Sequence, residues 1–121
     1  MLKIEIETIP HSQQRYDTAG DWYFEGGVLK IKVSDLGNEP QEFCVALHEL
    51  VEVMLCKHRG VTQEEVDAFD LAFSGPGEPG DDLCAPYFRE HQFSMGMERL
   101  YASQVGLNWS EYERRLEELS Q

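Results

Sequence analysis

Residues 2–9, "LKIEIETI", alternate apolar and polar with a period of two, which predicts a strand with one face covered. The following "PHSQQRYDTAG" has no period and several turn formers, and reads as a loop. In "DWYFEGGVLKIKV" two aromatic or β-branched runs flank Glu25-Gly26-Gly27, the pattern of a hairpin. After "SDLGNEP" the pattern changes. Every residue between Glu42 and Lys57 is apolar except His48, Glu49 and Glu52, which predicts a largely buried helix from Pro40 or Gln41 to about His58, stopped by Gly60. Thr62 stands three residues before Glu65, the spacing of a capping box, and opens a second helix to about Phe73. "SGPGEPGDD" is a loop, a lid or a link. A third helix extends from Pro86 to about Val105, and "NWSEYERRLEELS" forms a fourth, amphipathic and surface-lying. The expected fold is α+β: a small N-terminal antiparallel sheet of about three strands within residues 1–35, followed by about four helices over 40–121.

Length and composition narrow this picture. A chain of 121 residues fits one domain, 1–121, and an apolar content of 41% is enough for a core. Ten Lys and Arg against 23 Asp and Glu give a net charge of -13, which argues against nucleic acid or anionic lipid as partners and favours a cation. No apolar run approaches the roughly 20 residues that cross a bilayer, and "MLKIEIETIP" lacks the apolar centre of a signal peptide, so no membrane association and a cytoplasmic location are expected. Cys44, Cys56 and Cys84 form no CxxC pair and read as reduced thiols; Cys44 and Cys56 fall on or beside the helical stripe of His48.

The chemistry resides in the polar interruption of the first helix. His48 and Glu52 lie one turn apart on one face, with Glu49 beside them, in a helix whose remaining circumference is apolar. A carboxylate buried there is costly unless something pairs with it or binds it. In the third helix His91 and Glu98 are seven residues apart and share a face with Tyr87, Ser94, Met95, Ala102 and Val105. Two helices would thus each bring an imidazole and a carboxylate to a common interior, a donor set suited to a divalent transition metal, zinc first among them. His48, Glu52 and His91 are the expected ligands, and Glu98 is a fourth ligand or a partner behind them. Taken singly, each histidine reads more simply as a hydrogen-bonded core residue. His11 and His58 read as structural, Asp81 and Asp82 as caps beside the third helix, and Tyr87 and Tyr101 as packing residues.

"HELVE" resembles the HExxH motif of zincin metallopeptidases, in which two histidines bind zinc and the glutamate between them activates water. The order strand, hairpin, motif helix is also similar to the zincin core over roughly residues 20–60. Here Glu52 stands where the second histidine would be. The resemblance implies a site of two histidines and one glutamate, completed by His91, with Glu49 as the catalytic base of a metal-dependent hydrolase. Through "ALHELVE", "VDAFD", "GDD", "APYFREHQF" and "MERLYASQVGLNW" most of the chain resembles a group of small uncharacterised phage and prophage proteins, which implies no activity.

Two other classes compete. Glu49-x-x-Glu52 with Glu64-x-x-Asp67 is similar to the carboxylate pairs of MazG-type nucleotide pyrophosphohydrolases, which implies Mg²⁺ and a phosphorylated substrate. A non-enzymatic acidic interaction protein is the third class; the C-terminal helix "SEYERRLEELS" would then dock a protein partner, and an open strand edge would allow a homodimer.

Overall fold

The structure is a computed structural model and describes residues 2–120. Strand β1 (Lys3–Ile9) leads through a 3-10 turn at His11–Gln13 to β2 (Gly20–Glu25) and β3 (Val28–Ser34). Four helices follow: α1 (Glu39–Arg59), α2 (Gln63–Ala72), α3 (Phe88–Gln104) and α4 (Trp109–Glu118), with a second 3-10 turn at Pro79–Asp81. This is the α+β architecture expected, a small N-terminal sheet and then helices. No helix among the described residues is long and apolar enough to cross a membrane.

The sheet order is β1-β3-β2. Strands β2 and β3 form the expected antiparallel hairpin, turned by Gly26 and Gly27 at φ 58° and 77°, a left-handed pair that glycine adopts without steric penalty. Strand β1 departs from the all-antiparallel expectation, because it runs parallel to β3 from Lys3↔Val28 to Ile9↔Ser34 and makes the sheet mixed. Its alternation has no covered face either: Ile4 and Ile6 remain 41% and 51% exposed. Helix α1 packs on β2 and β3, so the edge strand lies outside its cover. What holds β1 is its backbone ladder and two cross-strand ion pairs, Lys30 to Glu5 at 2.5 Å and Lys32 to Glu7 at 2.6 Å.

Helix α1 begins where the Asn38 side chain accepts from the Gln41 backbone N–H at 3.0 Å, and ends at Gly60. Its apolar residues Cys44, Val45, Val53 and Cys56 pack against Trp22, Leu29, Ile31 and Val33 of the sheet to form the core. The Thr62–Glu65 capping box starts α2. On α3, Ser94 and Ala102 are buried as expected, while Val105 at its C-terminal cap is 48% exposed because the helix has ended there. Helix α4 does lie at the surface, but its inner stripe anchors it: Tyr112 is 1% exposed and stacks edge-on against Trp109.

Candidate metal centre

Helices α1 and α3 pack against each other, and that contact brings together side chains far apart in sequence. His48, Glu52, His91 and Glu98 are 4–7% exposed. The Nε2 of His48 lies 2.9 Å from Oε2 of Glu52 and 3.1 Å from Nδ1 of His91, and the same Nδ1 lies 3.2 Å from Oε2 of Glu52. These three atoms form a nearly equilateral triangle. Its sides compare with the edge of about 3.4 Å expected for a tetrahedron with metal–ligand bonds of about 2.1 Å.

Glu98 occupies a different position. It bonds Nδ1 of His48, on the far side of the ring from Glu52 and His91. An ionised carboxylate only accepts, so Nδ1 carries the proton and Nε2 is the nitrogen turned to the triangle. The Tyr112 hydroxyl donates to the second oxygen of Glu98 at 2.7 Å, and Trp22 Nε1 donates to Oε1 of Glu52 at 3.1 Å. His48 is therefore braced from behind by Glu98 and, through it, by Tyr112 of α4, and Glu52 by Trp22 of β2.

The electrostatics of the cluster follow from burial and mutual contact. Burial alone would push His91 down, but Glu52 and Glu78 hold its ring up at about 10. Burial likewise opposes the charge on Glu52, yet the hydrogen bonds from His48 and His91 bring its carboxyl down to about 2. Nε2 of His48 and Nδ1 of His91 face each other at 3.1 Å, so only one of the two can carry a proton along that line. One proton satisfies one pair of the triangle; a cation held by all three atoms would satisfy each of them.

Glu49, the expected catalytic base, is also buried, at 8% exposure, and points toward β2. Gly20 approaches it so closely that a Cβ at that position would lie 2.6 Å from Glu49 Oε1. Among the described residues Glu49 makes no hydrogen bond, and burial followed by the charge of Glu52 raises its carboxyl well above the ordinary range.

The remaining candidates lie elsewhere. Glu64 is exposed, and Asp67 accepts two bonds of 3.0 Å from Arg15. His11 bonds Ser34 and Asp17, both at 2.8 Å, and His58 is exposed. Asp82 accepts from the Cys84 backbone at 2.8 Å and caps a turn, whereas Asp81 comes within 3.2 Å of His91 Nε2. Tyr87 donates to Asp70, which also accepts from Tyr16 at 2.9 Å.

Three participants escaped the sequence reading. Tyr112 was findable, since Trp109, Tyr112, Leu116 and Leu119 recur at helical spacing and mark the inner stripe of α4. Trp22 stood in a strand pattern that identifies its face but not its partner on α1. Glu78, 3.1 Å from His91 Nε2, sits in a loop with no period to read. The chain matches no protein-family model, no curated protein and no solved structure.

Proposed function

We propose that the chain is a transition-metal-binding protein of zincin-like layout, with His48 Nε2, Glu52 and His91 Nδ1 as the ligands and zinc as the preferred ion. The observation that carries this reading is the triangle: two imidazole nitrogens and one carboxylate oxygen, mutually 2.9–3.2 Å apart and buried, with one edge that a proton cannot satisfy from both ends. Two nitrogens and one oxygen form the donor set of open zinc sites, which leave the fourth position to water or substrate. Glu98 and Tyr112 supply the backing that fixes a ligating histidine in one tautomer. Zinc bound there would supply Lewis acidity to a hydrolytic reaction. The role of proton acceptor falls to Glu49, which neighbours both α1 ligands, has no hydrogen bond to give up among the described residues, and would be ionised by a cation bound beside it in place of holding the proton that burial favours. The unpaired Cys44, Cys56 and Cys84 support a reducing, cytoplasmic setting.

The test is elemental analysis of protein purified without chelator or affinity-tag metal. Wild type retains zinc at the buried site and His48→Ala loses it; equal metal in both removes the assignment. Hydrolysis is checked separately on a peptide library, where Glu49→Gln keeps the metal and loses turnover. A Glu49→Gln protein as active as wild type would leave a metal-binding protein without this base.

A further inference from the structure

His91 presents its two ring nitrogens to two different places. Nδ1 faces the triangle, while Nε2 points the other way, 3.1 Å from Oε2 of Glu78 and 3.2 Å from Oδ1 of Asp81. Although His91 is only 5% exposed, Nε2 makes no aligned hydrogen bond to either carboxylate. A buried ring nitrogen left in that state is costly unless something else fills the space.

The loop carrying these carboxylates is seated rather than free. Gly80 lies against the face of the His91 ring, where a Cβ would overlap Cγ and Nδ1, so only glycine permits the approach. Gln92 of α3 donates to Oδ1 of Asp81 at 3.0 Å and holds that oxygen toward the ring. Among the described residues no Lys or Arg pairs with Glu78 or Asp81, and their side chains are 48% and 50% exposed. One face of this group therefore opens to water, and its negative charge is balanced by His91 alone.

We propose a second divalent-cation site formed by His91 Nε2, Glu78 and Asp81, so that the His91 ring bridges an outer cation and the buried centre. The ligand atoms lie within 4.8 Å of one another, and solvent water completes the coordination. When both sites fill, the protonated ring releases both of its N–H protons to bulk water and binds as an imidazolate through its two nitrogens. The outer site shares His91 with the centre proposed above but does not need that centre to be occupied. A filled outer site ties the loop to α3 and closes the exposed side of the cluster. Zinc or Mn²⁺ fits this donor set, more weakly than the buried site because two of the ligands remain hydrated.

Zinc titration followed by calorimetry, with circular dichroism to verify folding, tests the proposal on three proteins. Wild type takes up about two equivalents of zinc, the weaker being the outer one. The double variant Glu78→Gln/Asp81→Asn changes only half-exposed side chains, keeps its fold and takes up one. Glu52→Gln loses the tight equivalent and keeps the outer one. The single variants Glu78→Gln and Asp81→Asn each weaken the outer equivalent by at least about tenfold. If wild type binds one zinc that the double variant keeps and Glu52→Gln loses, the outer site is refuted and the buried centre stands. If one zinc is lost in the double variant and kept in Glu52→Gln, the outer site stands and the buried centre is refuted. A wild type that binds no zinc refutes both.

Discussion

Replacing Tyr112 with Phe removes one oxygen and leaves the ring in place. The hydroxyl is buried, 1% of the residue being exposed, and donates to Glu98 Oε2 at 2.7 Å, so the variant opens no cavity but strips a buried carboxylate of one of its two partners. A hydrogen bond to a charged group contributes about 1.5–3 kcal/mol, and losing one partner exposes the other to its full desolvation penalty, so a loss of roughly 2–3 kcal/mol is expected. For a domain of this size that is a fall in Tm of about 10 °C. A second effect separates a bracing role from a merely structural one. Glu98 fixes the His48 tautomer, and losing such backing weakens metal binding by about 10–100-fold. Urea unfolding of the metal-free protein measures the first quantity, and competition against a chromogenic zinc chelator measures the second. A metal-free stability within about 0.5 kcal/mol of wild type would show that the Tyr112–Glu98 bond does not carry the weight assigned to it. Destabilisation with unchanged zinc affinity would refute the chain of contacts from Tyr112 through Glu98 to His48.

Two further predictions concern the surroundings of the cluster. In Gly20→Ala the new methyl would sit 2.6 Å from both Glu49 Oε1 and Val45 Cγ1, so β2 and α1 must separate; a loss of about 1–3 kcal/mol is expected in denaturant unfolding, and an unchanged midpoint would refute the close approach. Burial raises the Asp70 carboxyl to about 6 against the lowering effect of the Tyr87 and Tyr16 hydroxyls. Because its folded value lies above its unfolded one, the folded protein holds this proton more tightly, and the Asp70 contribution to stability is lost as pH rises toward and through about 6. Asp70→Asn should therefore gain on wild type between about pH 4 and pH 7 in a series of urea titrations, and a constant difference across that range would contradict the assignment.

The legible parts of the molecule are those in which a period and a boundary agree. Helix α1 announced itself by its apolar circumference and its stop at Gly60, α2 by the Thr62–Glu65 box, and the hairpin by Gly26-Gly27 between two strand-forming runs. His48 and Glu52 were recognisable as neighbours because one helical turn separates them, and His91 and Glu98 as sharing a face because two turns do. What the spacing cannot supply is which ring nitrogen faces which partner, since that depends on how α1 and α3 cross. Hence Glu98 was legible as a fourth ligand or a partner behind the others, while the choice between the two, which falls to a place behind His48, was not. The direction of β1 was hidden for a related reason: period two describes a strand without naming its neighbour, and β1 pairs in parallel with β3 rather than with β2, the strand that follows it in the chain. The loop residue Glu78 had no pattern at all.

The scant cover over β1 divides the labour within the sheet. Nearly all the oil of this domain is gathered by β2, β3 and the helices, while the first strand adds a strip of backbone ladder and a row of Lys–Glu clasps on the rim. The histidines and glutamates of the interior thus hang from a frame that owes little to that strip. Replacing the exposed Ile4 or Ile6 with a polar residue would thus alter the rim of the sheet while leaving the apolar interior its full membership.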